Sequence, residues 1–219
     1  MGKVLDLMEY ADDAAAQAAY KGITHYAITF VGTAQLSTAQ KKFGSSSLLL
    51  DGDSDYLTAP DNDDWFFGSS SFTIDVWVRF SSVSVSQTIV GQSVDGNHFW
   101  RLCASFNNSR LDFYEYQAGD ITLVYGSWSP SVNTWYHIAA VNNAGTLKLY
   151  IDGTLLATGT YHSGTNMATP LKIGYGDYET AYFNGWIDGL RVSKGIARWT
   201  ADFTPPSAQY YYEPHALII

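Results

Sequence analysis

Any chemistry in this chain would have to come from its carboxylates, its histidines, its one thiol or its many aromatic rings. Glutamate is scarce: only Glu9, Glu115, Glu179 and Glu213 occur. Glycoside cleavage with retention needs two carboxyl groups about 5–5.5 Å apart. No two glutamates lie close enough in sequence to make such a pair on one strand. Asp112 and Glu115 are three residues apart in a stretch that reads as a strand. Side chains alternate along a strand, so these two are expected on opposite faces. Asp75 stands beside Trp77 without an accompanying glutamate. His25, His98, His137, His162 and His215 are scattered and form no HExxH motif, so a catalytic zinc site has no support. His137 falls inside a strand pattern and reads as a packed or hydrogen-bonded sheet residue. Neither a glycine-rich phosphate loop nor a GxSxG elbow occurs. Cys103, in the apolar run FWRLCASF, reads as a small strand or core residue rather than a nucleophile. The chain is therefore expected not to be an enzyme.

Binding chemistry is better represented. Asp51-Gly-Asp-Ser-Asp55 alternates carboxylates as the start of a calcium loop does. The EF-hand pattern then fails, because no glutamate stands at loop position 12 and no helices flank the segment. A solvated turn after a strand is the competing reading. Aromatic rings that escape the core could stack on sugar rings, with nearby carboxylates and amides holding the hydroxyl groups. The candidates are Trp65, Phe66 and Phe67 in one loop, Trp100, Tyr114 and Tyr116 on strands, and Trp128. Tyr175, Tyr178 and Tyr182 share a second loop with Asp177 and Glu179. Trp77, Trp135 and Trp186 sit within strand motifs and read as structural. Because loops carry binding sites, Trp65, Asp177, Tyr178 and Tyr182 are the best expected ligand contacts.

Composition narrows the partners. The 219 residues carry a net charge of −9, with Lys and Arg spread along the chain. Such a surface repels phosphate backbones, so neither nucleic acid nor an anionic membrane is an expected partner. Hydrophobic residues make up 46% and aromatics 16%, enough for a sizeable core. A single cysteine allows no internal disulfide, so the fold does not depend on an oxidising compartment. No stretch is apolar for the 18 or more residues that a membrane helix needs, and membrane insertion is not expected. The opening MGKVLDLMEYADD lacks the apolar run of a signal peptide, which implies a start in the cytoplasm.

The elements that must position these residues are nearly all strands. Residues 4–20 form the one plausible helix, with Asp12 and Asp13 able to cap the Ala-rich run. In Phe72–Phe80, Phe72, Ile74, Val76, Val78 and Phe80 alternate with Thr73, Asp75, Trp77 and Arg79, a strong strand signal. Trp135–Val141 and Thr146–Ile151 flank the turn Asn142-Asn-Ala-Gly145, and Asp152-Gly153 closes a tight hairpin onto Thr154–Thr160. Further strands are expected at Ser47–Leu50, His98–Phe106, Arg110–Tyr116, Leu171–Tyr175 and Tyr182–Ser193. Many short strands with turn signals between them indicate a sandwich or barrel. Thr204-Pro-Pro206 ends the regular structure. The tail that follows is too apolar for a free end, as is Val4–Met8.

Four segments together carry a family likeness: Phe43–Tyr56, Phe72–Phe80, Thr134–Gly153 and Phe183–Val192. In this order and spacing the chain resembles the laminin-G-like branch of the concanavalin A-like lectin and glucanase domains, over roughly residues 25–206. Val31–Gly44 and Gly195–Pro206 are similar to versions found in bacteriophage tail, fibre and capsid decoration proteins. The resemblance implies an all-β, two-sheet antiparallel jelly-roll sandwich, here preceded by a short helical arm. It divides the chain into an arm (1–24), the sandwich (25–206) and a C-terminal tail (207–219). It implies carbohydrate or protein binding and, in many members, a calcium ion held near the late Ile187-Asp188 motif. Asp51, Asp53 and Asp188 are thus the expected calcium ligands. The expected role is a non-enzymatic virion module that self-associates or meets other virion proteins, with a possible glycan ligand. A free extracellular lectin is the alternative, and a glycosidase is disfavoured.

Overall fold

The computed structural model describes residues 26–177, 180–210 and 216–218. The expected helix at 4–20, the apolar Val4–Met8 and Tyr178 lie outside the described residues. Among the described residues fifteen strands follow one another. They are β1 (Thr29–Val31), β2 (Gln35–Ser37), β3 (Ser47–Asp51), β4 (Tyr56–Ala59), β5 (Phe72–Phe80), β6 (Gln87–Asp95), β7 (His98–Ser105) and β8 (Arg110–Gln117). After these come β9 (Asp120–Ser127), β10 (Trp135–Asn143), β11 (Thr146–Ile151), β12 (Thr154–Thr160), β13 (Leu171–Ile173), β14 (Asn184–Lys194) and β15 (Ala216–Ile218). All pairings are antiparallel. The front sheet runs β1-β4-β13-β6-β7-β8-β9; the back sheet runs β12-β11-β10-β5-β14-β3-β2, with β15 added to β14.

Alternation builds the core. Phe72, Ile74, Val76, Val78 and Phe80 are fully buried between the sheets. They meet Trp100, Leu102, Leu111 and Phe113 from the front sheet. Phe72 stacks on Phe67 with ring centres 4.1 Å apart. The hairpin at Asp152-Gly153 needs left-handed backbone at both positions, with φ of 49° and 79°, which is why Asp-Gly suits it.

The other face of β5 is also covered. Thr73 and Asp75 are fully buried and Trp77 is 6% exposed. A strap, residues 195–210, crosses the outer surface of the back sheet. Its Trp199 and Phe203 stack at 3.9 Å and pack on Ala139, Val141 and Tyr150. Arg198 N–H donates to Thr73 Oγ1, and Leu155 N–H donates to Asp202. Beneath the strap Arg191 grips Asp75 through Nε and Nη2, and the Tyr210 hydroxyl also donates to Asp75. His137 completes this buried cluster, its Nε2 lying 3.3 Å from Tyr210 Oη. The chain end then joins its own sheet, since Ala216–Ile218 pairs with Ser193–Arg191 of β14. That segment's backbone therefore has a partner within its own domain, one of the two destinations, own domain or neighbour, that the apolar tail left open.

Candidate functional site

The front sheet's outer face is a lattice whose rows can be followed through the registers. One row crosses all seven strands: Thr29, Thr58, Lys172, Gly91, Arg101, Tyr114, Leu123. Gly91 contributes no side chain between Lys172 and Arg101. A Cβ there would lie 2.4 Å from the Trp100 carbonyl oxygen, so close strand approach keeps this position bare. The result is a cleft with Gly91 and Gly176 in its lining, walled by Lys172, Asp177 and Tyr175 on one side and Phe99 and Arg101 on the other. Thr88 and Ser93 supply hydroxyl groups along its length.

Lys172 reaches the cleft because β13 alternates: Leu171 and Ile173 are buried while Lys172 points outward. Its Nζ lies 2.5 and 2.7 Å from the two Asp177 oxygens and 5.3 Å from the Tyr175 ring centre. Tyr175 and Tyr182 stack at 4.4 Å, and Tyr56 leans on Tyr175 at 5.0 Å. Burial, reinforced by the charge of Asp177 and by Tyr182, pushes the Tyr175 hydroxyl up to about 12. It stays a neutral donor at ordinary pH. The cluster therefore offers ring faces, phenol hydroxyls and a fixed ammonium–carboxylate pair at the rim of one cleft.

Two of the expected ligand contacts, Asp177 and Tyr182, meet here. Trp65 does not. It is 1% exposed, packs on Tyr26 at 4.8 Å and donates its indole N–H to the Pro60 carbonyl. A loop position had suggested exposure, but the loop folds its Trp65 and Phe67 into the core. Lys172, Gly91, Arg101 and Tyr56 were not singled out from the sequence. A lysine between two buried aliphatics was the available signal for Lys172, whereas Gly91 needed the neighbouring strands.

The expected calcium ligands are dispersed. Asp51 Oδ1 accepts from Asp53 N–H and Ser54 N–H. Burial pushes its carboxyl up, but those amides and Asp55's outweigh that and hold it below the usual range. Asp188 Oδ2 accepts from Lys42 N–H and Phe43 N–H at 2.7 and 2.9 Å. Asn184 stands opposite Asp51, and Asp188 lies four residues further along β14, about 13 Å away at the rise of a strand. The three do not make one calcium site. Among the described residues no group of three metal-ligating side chains is present.

The acidic side chains do not pair across the cleft either. Asp112 is on the outer face of β8, bonded to Arg110 at 3.0 Å, with β6 and β7 between it and the Lys172–Asp177 side. Glu115 faces inward and is 4% exposed. Burial pushes its carboxyl up to about 7, against the pull of Tyr161 and Gln117.

A family model described as concanavalin A-like lectin/glucanases superfamily (Laminin_G_3) matches residues 51–198. The chain belongs to this superfamily. Among solved structures it is similar to domain 4 of AbnA, a GH43 extracellular arabinanase from Geobacillus stearothermophilus, in complex with arabinotriose. The two are 21% identical, with 74% of this chain and 75% of that one covered and a TM-score of 0.59. The binding domain of botulinum neurotoxin serotype C1 is 17% identical over 76% of this chain and 43% of that one, with a TM-score of 0.58. Mouse laminin alpha1 chain, domains LG4-5, is 14% identical over 66% and 40%, with a TM-score of 0.53. This chain thus spans less than half of the neurotoxin and laminin chains. These likenesses show the sandwich, and no curated protein sequence matches the chain. The superfamily's domains share a scaffold on which many functions are built.

Proposed function

We propose that this superfamily domain is a non-enzymatic recognition module that binds a saccharide on the front-sheet surface at the rim of this crevice, whose interior of about 10 Å³ is too small for a sugar ring. The observation that carries the reading is the convergence at one rim of Tyr56, Tyr175 and Tyr182 with the Lys172–Asp177 pair. Ring faces take the C–H surface of a sugar, while the ammonium, carboxylate and phenol groups take its hydroxyls. The arabinotriose held by the similar arabinanase domain supports a short oligosaccharide as the first probe. The placement of Asp112 and Asp177 on opposite flanks supports binding over cleavage, because hydrolysis needs two carboxyl groups across one bond.

The same proposal includes placement in a virion, with self-association or other virion proteins as partners. Its support is the edge strand β9, where Ile121, Leu123 and Tyr125 are 48%, 39% and 55% exposed on one side. An exposed apolar strip of this kind marks a surface for association. Mass spectrometry of purified particles tests the placement, and absence of the chain from them overturns it.

Titration calorimetry with arabinotriose, after a broad glycan array, tests the cleft. Tyr182→Ala is expected to weaken binding several-fold, the scale of one lost aromatic contact worth about 1 kcal/mol. An array without hits, or an unchanged affinity in Tyr182→Ala and Lys172→Ala, rejects the reading.

A further inference from the structure

Ten residues, Tyr161-His-Ser-Gly-Thr-Asn-Met-Ala-Thr-Pro170, carry the chain from β12 of the back sheet to β13 of the front sheet without regular structure. They pass over the end of β8 and the start of β9, away from the front crevice. Only Tyr161 and Met167 are buried in the core, and the small and polar residues between them are largely exposed. Both ends are tied down. Tyr161 N–H donates to the Gly145 carbonyl, and the Thr169 carbonyl accepts from Gln92 Nε2. The middle has fewer holds: His162 N–H on Thr122 Oγ1, Thr165 Oγ1 on Gln117 Oε1 at 2.7 Å, and Asn166 Nδ2 on Asp63 Oδ1. A segment with so few buried contacts opens at lower cost than the sheets do.

Beneath the middle stands Glu115. It points inward from β8, opposite Trp100 of β7 and Thr122 of β9. Gly164 covers it so closely that a Cβ there would clash with its Oε1. The Tyr161 hydroxyl donates to the carboxyl and accepts from Gly164 N–H. Gln117 Nε2 reaches Oε1 at 3.5 Å, while the oxygen of the same amide holds Thr165. Oε2 is buried without a hydrogen-bond partner, and no cation pairs with the carboxyl among the described residues. Tyr161 is the titratable group that faces it; burial and the Glu115 charge push that phenol up, so it stays neutral. Burial likewise pushes Glu115 up to about 7. Asp63 and His162 lie on the segment's exposed side. The pocket under Gly164 thus suits a neutral carboxyl and holds nothing to balance a charge.

We infer that the segment is a latch worked by one proton: it lies closed while Glu115 is neutral, and residues 162–168 swing out to admit water when Glu115 ionises. Ionisation leaves either an unbalanced buried charge or an opened cover, and opening breaks only the few holds of the middle. The segment runs straight into β13, so the latch is joined in sequence to the strand that carries Lys172. It needs no ligand and does not depend on the saccharide reading.

The test is native-state hydrogen exchange of the full chain between pH 5 and 8, with the intrinsic pH dependence of amide exchange divided out. The closed form keeps its proton up to about 7, whereas the open form releases it near an ordinary 4.5. The opening constant for the amides of residues 162–168 should therefore rise with pH, on the order of fiftyfold over this range, and level off above about 7. Low guanidinium should leave that exchange unchanged, as for a local opening. Glu115→Gln should remove the pH response. Tyr161→Phe should move its midpoint upward, because the phenol hydrogen bond favours the carboxylate. His162→Gln should leave the response intact. The inference is overturned if Glu115→Gln keeps the response, if His162→Gln loses it, or if the segment's amides share the denaturant dependence of those in β5. Melting curves show whether Glu115→Gln folds; if it does not, the Tyr161→Phe midpoint decides, and an unmoved midpoint overturns the latch.

Discussion

At the scale of single residues, the buried charges set clear expectations. Glu115 is titrated up to about 7 from an ordinary 4.5, chiefly by burial. The folded state therefore binds a proton between those values that the unfolded chain has released. Stability is fully present below about 4.5 and is lost as pH rises through about 7. At 1.36 kcal/mol per unit the loss is on the order of 3 kcal/mol. Denaturant melts of wild type and Glu115→Gln from pH 5 to 8 should diverge, with the variant flatter. A parallel pH dependence in both would refute the assignment. Asp75 is the opposite case, a buried carboxylate satisfied by Arg191 and Tyr210. Removing it strands the guanidinium, and Asp75→Ala should cost about 3–5 kcal/mol in chemical denaturation. A cost below 1 kcal/mol would mean that the cluster is solvated. Because Asp51 and Asp188 spend oxygens on backbone amides, adding a chelator is expected to leave the melting temperature unchanged. A clear drop in chelator would reveal a metal site built from other groups.

Among the elements, the strap is the part with most influence on what the back sheet exposes. It docks where the β11–β12 hairpin turns, and there Gly153 admits it: a Cβ would fall 1.8 Å from the Phe203 carbonyl oxygen, at a φ of 79°. Gly153→Ala must therefore strain the turn and push the strap away. A loss of roughly 2 kcal/mol or more is expected, with weaker amide-exchange protection at Phe203 and Leu155. If protection at those amides is unchanged, the strap is not anchored through this turn. Strand recognition also has its physical reasons at this scale. The ranges of β5, β11 and β12 were legible because each alternates or is bounded by a clear turn. β6 was not, because bulges between Thr88 and Val90 and between Ser93 and Asp95 break its period. β9 was not, because Ile121, Leu123 and Tyr125 point outward while Val124 points in, so apolar residues fall on both faces. β1, β2 and β4 are only three or four residues long, too short for a period to show.

For the molecule as a whole, two sheets joined by pairings far apart in sequence should behave as one cooperative unit. β5 lies at the centre of the back sheet, between β10 and β14, so the middle and the end of the chain must arrive together. Far-ultraviolet circular dichroism and aromatic near-ultraviolet signals are expected to melt at a single temperature. Two separated transitions would show that the strap or the front sheet unfolds on its own. The topology also distributes function. The front sheet presents a crevice whose gap is a glycine, and the back sheet presents Trp77 and Trp186 beneath the Lys42 and Arg79 side chains. The two faces can thus be tested independently by substitutions that do not touch each other.

The sequence by itself determined the class of fold, the central strands, the hairpins and the acidic balance. These follow from local periodicity, turn chemistry and composition, which are properties of neighbouring residues. The tertiary structure alone decided which aromatic rings are available. Trp65 lies in a loop and is buried, while Trp135 lies in a strand and lines a groove, because exposure depends on what a distant segment covers. It also decided that Asp177 meets Lys172 and that Tyr182 stacks on Tyr175 beside them, while Asp51 and Asp188 stay apart. Proximity across a sheet is set by register between strands far apart in the chain. The pattern within any one strand carries no record of its neighbour's register.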